Sequence, residues 1–143
     1  MPKLARWAMR AAFIYLLLGA AGAVLYWTNV LWPWWPPLSA VSPTYLHLIV
    51  VGWLTQMIFG VIYWMFPVIS KAHPRGDGRI GWATFICLNA GLIARVICEP
   101  WRAMQPNTAN ALGLLLSALL QVAAAMAFVW VSWARVREHA GTA

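Results

Sequence analysis

Charge is what this sequence has least of. Only 9% of its 143 residues are Asp, Glu, Lys or Arg, while 63% are hydrophobic. A soluble domain carries about 25% charged residues. The shortage excludes a water-soluble enzyme and points to an integral membrane protein. The segments between apolar runs are short, so there is no room for a separate soluble domain, and residues 1–143 read as one membrane domain. Cysteine is scarce too, with only Cys87 and Cys98, both in the third apolar run. They are 11 residues apart, a helical rise of about 16 Å. A disulfide needs Cα atoms within about 7 Å, so the two cannot bridge within a chain and read as small apolar fillers.

Catalytic partners are missing as well. The three histidines are His47, His73 and His139, and only His47 falls inside an apolar run; those runs contain no aspartate. Nucleophilic or acid–base catalysis needs neighbouring groups, so no catalytic residue is assigned. A zinc or copper site takes about three or four ligands. One chain offers His47, Met57, Met65, Met104 and the two cysteines, badly spaced; Met57 lies about 15 Å along a helix from His47.

What is present is four apolar runs. They predict an all-α membrane four-helix bundle, with helices over about residues 10–31, 44–66, 80–98 and 110–133, each near the roughly 20 residues that cross a bilayer. Helix one is expected to end at Trp32-Pro-Trp-Trp-Pro-Pro, where proline removes amide donors and restricts its predecessors. It reads as a retained span, because its apolar run is longer than a signal-peptide core and no small-residue cleavage site follows.

The net charge of +7 invites a nucleic-acid reading, but its distribution argues against one. Eight of the ten basic residues fall at three places: Lys3, Arg6 and Arg10; Lys71, Arg75 and Arg79; Arg135 and Arg137. By the positive-inside rule both termini and the second connection are cytoplasmic, in contact with anionic lipid headgroups. Arg102 is then the one clear basic residue of the outer connections. Most of the 11 tryptophans lie near predicted helix ends and read as aromatic belts. Trp53 lies deeper in helix two, against a neighbouring helix or a cofactor.

Helix two has two faces. Gly52, Gln56, Gly60 and Tyr63 share a stripe suited to close helix contact. His47, with Val51, Leu54, Ile58, Val61 and Met65, lies on the other side. An ionisable group within a span is a functional candidate by default. Haem iron suits a lone histidine, since one protein ligand can hold it. In helix three Arg95 and Glu99 are spaced to pair along the helix. Two readings of Arg95 are open: an interfacial ion pair, or a contact with an anionic group of a cofactor. Gln121 in helix four is expected to form an interhelical hydrogen bond.

The stretch Ser42-Pro-Thr-Tyr-Leu-His47-Leu-Ile-Val-Val-Gly-Trp53, followed by Gly60-Val-Ile-Tyr-Trp-Met-Phe-Pro67, resembles the second transmembrane helix of haem–copper oxidase catalytic subunits, nearest to the cbb3-type oxidases and nitric oxide reductases. The resemblance covers about 25 residues of the 143. It implies that His47 ligates the iron of a low-spin haem b near the outer surface. The family's subunit has about twelve helices, which look like three four-helix arcs, and this chain corresponds to one arc. The later helices that bear the copper ligands and the second haem ligand have no counterpart, so a complete reductase centre is not expected in one chain. Arg95 and Arg102 are candidates for the haem propionates, Trp53 for the haem face and Met104 for the sixth iron position.

Three functions remain open at this point. The first is a haem b protein for electron transfer or small-gas binding in a bacterial-type inner membrane, drawing on a respiratory electron donor. The second is a structural or assembly subunit of a respiratory complex. The third is a metal- or quinone-binding membrane protein. A homo-oligomer, dimer or trimer, through helix two is expected, since two His47 side chains on one haem would complete its ligation.

Overall fold

The computed structural model describes residues 1–66 and 77–137. Pro67, Lys71, His73, Arg75 and His139 lie outside the described residues. Four helices are long and apolar enough to cross a membrane, and no strand occurs among the described residues. The protein is an all-α integral membrane four-helix bundle. Helix one spans Lys3–Leu31, helix two Ser42–Met65, helix three Gly78–Met104 and helix four Thr108–Arg137. "Outer" and "inner" below follow the assignment by charge.

The helices extend beyond their apolar runs. Helix one starts seven residues before residue 10 because its first turns are amphipathic: Leu4, Ala5 and Ala8 are buried, while Lys3, Arg6 and Arg10 point outward. It ends where Trp32 turns to extended backbone, its N–H still donating to the carbonyl of Thr28. A short 3-10 helix, Pro36–Val41, links it to helix two. Helix three opens on Asp77, whose side chain accepts from the N–H of Arg79 at 2.8 Å, an N-cap contact. It continues through Pro100 to Met104. Proline at that position removes one amide donor, a loss tolerated near a helix end in a membrane protein. Helix four follows after a three-residue connection, Gln105 to Asn107. Asn107 and Asn110 cap its start reciprocally: the Asn110 N–H donates to Asn107 Oδ1 at 2.9 Å and the Asn107 N–H to Asn110 Oδ1 at 3.2 Å. This is a capping box made with asparagines.

Helix two is not uniform. Its middle, Leu48–Thr55, is a π-helix between α-helical ends, which the hydrophobic period does not disclose. The wide turns have a purpose visible in the burial. Leu48, Gly52, Gln56 and Gly60 are all buried, four residues apart. In an α-helix each step of four drifts by about 40°; wider turns remove much of the drift and keep the row against helix one. At Gly52 an added Cβ would lie 2.8 Å from Tyr15 Cβ and Cγ, so only glycine admits that approach.

Helices three and four form the other close pair. Ser117 Oγ donates to the carbonyl of Gly91 at 2.7 Å. Gln121 does not cross to another helix itself: its Nε2 donates to Ser117 Oγ within helix four, at 3.1 Å. The serine, four residues away and small enough to reach the neighbouring backbone, makes the interhelical bond instead. Between the pairs lies a core of Leu88, Leu92 and Ala124, packed by Tyr15, Val51, Phe59 and Cys87. The rings of Phe59 and Phe128 stack with centroids 3.7 Å apart.

Candidate functional site

His47 ends the first α-helical part of helix two, immediately before the π-helix. Its ring is half-buried, and Leu46, Val50 and Leu54 beside it are exposed. The imidazole therefore stands at the edge of an outward apolar face, which keeps Leu54 and Ile58 of the expected histidine face but not Val51, packed instead against the core. Nδ1 lies 2.8 Å from the carbonyl oxygen of Pro43. A carbonyl only accepts, so Nδ1 carries the proton, and in the neutral imidazole Nε2 carries the lone pair.

One turn outward from His47, Thr44 is buried and its hydroxyl donates to Glu99 Oε2 at 3.0 Å. Glu99 Oε1 accepts from Arg95 at 3.0 Å. The intrahelical pair expected from the spacing is present, with Thr44 of helix two as a third member. Both charged side chains are largely buried, at 17% and 13% exposure. Glu99 meets the guanidinium at one end only, and Arg95 Nε is buried without a hydrogen-bond partner. Arg102 is exposed, with one long contact from Nη1 to the carbonyl of Asn107 at 3.5 Å. Met104 is 52% exposed at the end of helix three, and Trp53 is half-buried within helix two. His47, Thr44, Glu99 and Arg95 thus lie in one neighbourhood, while Arg102 and Met104 extend from it toward the outer connection. No group of three or more His, Cys, Asp or Glu side chains is placed to hold a metal ion among the described residues.

Two polar assemblies were not legible in the sequence. At mid-membrane Tyr15 donates to Asn89 Oδ1 at 2.8 Å, Asn89 Nδ2 donates to Gln56 Oε1 at 3.1 Å, and Gln56 Nε2 reaches the carbonyl of Ala8 at 3.3 Å. Helices one, two and three are joined through this chain. A tyrosine in an apolar run looks like packing, so Tyr15 gives no signal of this role in the sequence. Gln56 also borders a cavity of about 30 Å³, lined mainly by Leu4, Phe59, Tyr63, Leu88 and Phe128. The second assembly is at the inner end. Arg135 is 1% exposed; it donates to the carbonyls of Tyr63, at 3.4 Å, and Phe66. Its guanidinium lies 6.0 and 5.6 Å from the centroids of the rings of the same two residues. Charge counting places Arg135 among the headgroup-facing cations. The structure instead has it capping the end of helix two, where a cation is favoured by the unpaired carbonyls.

The Gly52, Gln56 and Gly60 stripe is occupied within the chain, against Tyr15 and Ala8 of helix one. The stripe is therefore used for packing within the chain. The outward face beside His47 is the part of helix two that stays uncovered. The inventory of tryptophans agrees with interfacial belts: Trp7, Trp64, Trp82, Trp130 and Trp133 are exposed toward the inner end, and Trp27, Trp32, Trp34, Trp35 and Trp101 toward the outer.

Comparison with protein-family models, with curated proteins and with solved structures gives no significant match.

Proposed function

We propose that the protein is a membrane-embedded haem b protein in which His47 ligates the iron through Nε2, serving electron transfer or the binding of a small gas in a bacterial-type inner membrane. The observation that carries this reading is the bond from His47 Nδ1–H to Pro43. Metal-ligating histidines use the second nitrogen in this way, which fixes the tautomer, holds the ring and raises its basicity. The residues present fit a haem in two respects. One imidazole is the least a chain must supply, and the face beside it, with Leu46, Val50 and Leu54 exposed, is apolar. The internal cavity of about 30 Å³ holds no macrocycle, so the group would rest against the outward face of helix two. Bound there, a haem supplies one-electron redox chemistry and an axial position for a ligand such as O2 or NO.

The chain's own part is positional. Pro43 orients the imidazole, and the exposed leucines and valine exclude water from its lone pair. Arg95, which shares Glu99 with Thr44 one turn from His47, and the exposed Arg102 are the two arginines that would serve the propionates. A second copy, in a dimer or trimer, would cover the outward face and bring a second His47 as sixth ligand.

A second reading, a structural or assembly subunit of a respiratory complex, is favoured by a different observation. Gln56, Asn89, Ser117 and Gln121, the amide and serine side chains deep in the spans, are all engaged in holding the bundle together. The optical spectrum separates the two. Protein expressed with ample haem is expected to show a Soret band that disappears in His47→Ala, with membrane insertion unchanged. A parent protein lacking the band removes the haem reading and leaves the structural one; a variant that keeps its haem removes His47 as ligand. A ratio near one haem per two chains with a six-coordinate low-spin spectrum supports the shared pair, and one haem per chain with an open position supports gas binding.

A further inference from the structure

At the outer end the bundle carries an open groove of about 600 Å³, lined among others by Ser42, Glu99, Arg102, Ala103, Pro106 and Leu114. It lies between the start of helix two, the end of helix three and the start of helix four. We infer that this groove binds the phosphate of an outer-leaflet phospholipid whose headgroup carries no ammonium, with Arg102 as the anion-binding residue.

Three charged side chains gather at this end. Glu99 accepts from Arg95 and from Thr44 through its two oxygens, so its charge is met by Arg95. Among the described residues Arg102 has no carboxylate partner, and its one hydrogen bond there is the 3.5 Å contact to the Asn107 carbonyl. The groove is thus left with one uncompensated positive charge, the complement of a phosphodiester. A guanidinium grips phosphate oxygens through paired donors, and the Ser42 hydroxyl in the lining is a further donor. An ammonium would need a free carboxylate, and Glu99, already holding two donors, is not one.

The walls and the depth choose lipid over a soluble anion. Ala103, Pro106 and Leu114 give the groove an apolar side, which suits glycerol and the first carbons of a chain but does nothing for free phosphate. Trp101 beside Arg102 and the exposed Trp32, Trp34 and Trp35 of the neighbouring connection put the groove at the level where indole rings meet headgroups. The groove shares Pro43 and Glu99 with the neighbourhood of His47, but Arg102 lies seven residues beyond Arg95, a rise of about 10 Å, and the inference does not rest on haem binding.

Native mass spectrometry of the full-length protein in detergent tests the inference with three probes: dioleoylphosphatidylglycerol, dioleoylphosphatidylcholine and inorganic phosphate. The phosphatidylglycerol is expected to stay bound through activation that strips the phosphatidylcholine. Arg102→Gln should weaken its retention roughly tenfold, in line with the loss of one charge-assisted contact. Ala103→Trp, which fills the groove and keeps the arginine, should do the same, while Arg6→Gln at the inner end should leave the tightest lipid in place. Retention within twofold of the parent in both groove variants overturns the site. Equal retention of the two lipids overturns the headgroup preference, and protection of the parent by inorganic phosphate equal to that by the lipid identifies a soluble anion instead.

Discussion

Asn89 does more for this bundle than any other single side chain at mid-membrane. Its carbonyl accepts from Tyr15 and its amide donates to Gln56 and to the carbonyl of Phe85, so three helices meet on one residue. Hydrocarbon offers no replacement partner for a polar group, although measured interhelical hydrogen bonds in membranes are modest, about 0.6 kcal/mol on average. Asn89→Leu leaves both the Tyr15 hydroxyl and Gln56 Oε1 without their partner, and is expected to lower the thermal midpoint in detergent more than Tyr15→Phe does. The double variant should be no worse than Asn89→Leu alone, because the tyrosine hydroxyl has then nothing left to lose. Additive losses in that cycle would show that the two side chains are not coupled. His47 is the contrast at this scale: its hydrogen bond among the described residues is to the backbone of its own helix.

At the scale of elements, the π-helix of Leu48–Thr55 decides how His47 and Gln56 are oriented to each other. Deleting one residue there, Leu54, which is 46% exposed, would let the segment close to α-helix. Because a wide turn holds an extra residue for the same angle, the outer part of helix two would then keep nearly its present register on the inner part. A disulfide reports on this. A Cβ built on Gly22 lies 3.0 Å from Tyr45 Cβ, near the spacing of about 3.5–4.5 Å that a disulfide takes. With Cys87→Ala and Cys98→Ala removing background thiols, Gly22→Cys and Tyr45→Cys are expected to cross-link in the undeleted chain and in the Leu54 deletion, and to fail when Ile58 of the α-helical part is deleted instead, which turns the outer part by about 100°. Equal cross-linking in the two deletions would mean that the wide turns do not absorb the residue. Gly60 and Gln56 would hold the inner part in place during such a change, since both pack on helix one near Ala8.

At the scale of the whole molecule, two helical hairpins meet through few but specific contacts: the Tyr15–Asn89–Gln56 chain, the stacked Phe59 and Phe128 rings, and Arg135 reaching the end of helix two. Four spans place both termini on one side of the membrane, and the basic residues name that side. A reporter fused at the C-terminus is expected to read cytoplasmic. A periplasmic signal would reverse the topology and with it the outer placement of His47 and the Arg102 groove. The molecule leaves one apolar strip of helix two, with Leu46, Val50, Leu54 and Ile58 between 45% and 50% exposed, running inward from His47; lipid, a cofactor or another chain covers it in the membrane.

Much of this was legible without coordinates, and the reason is the bilayer. Length, low charge and the placement of lysine and arginine specify four spans because lipid demands that each backbone donor be satisfied inside its own helix. The Arg95–Glu99 pair was readable too, because a spacing of four on a helix is a local matter, and so was the division of helix two into a glycine face and a histidine face. What those faces meet was a tertiary decision. Gly52 and Gln56 lie against helix one of the same chain because Tyr15 and Ala8 happen to be opposite them, and no count along helix two reveals a residue 37 or 48 positions away. Arg135 was misread for the same reason: the charge that fits an inner interface is used to cap a helix that ends nearby. Thr44 joins the ion pair only because helices two and three cross at that depth. Periodicity records what one helix can present; which partner it presents it to is settled by packing.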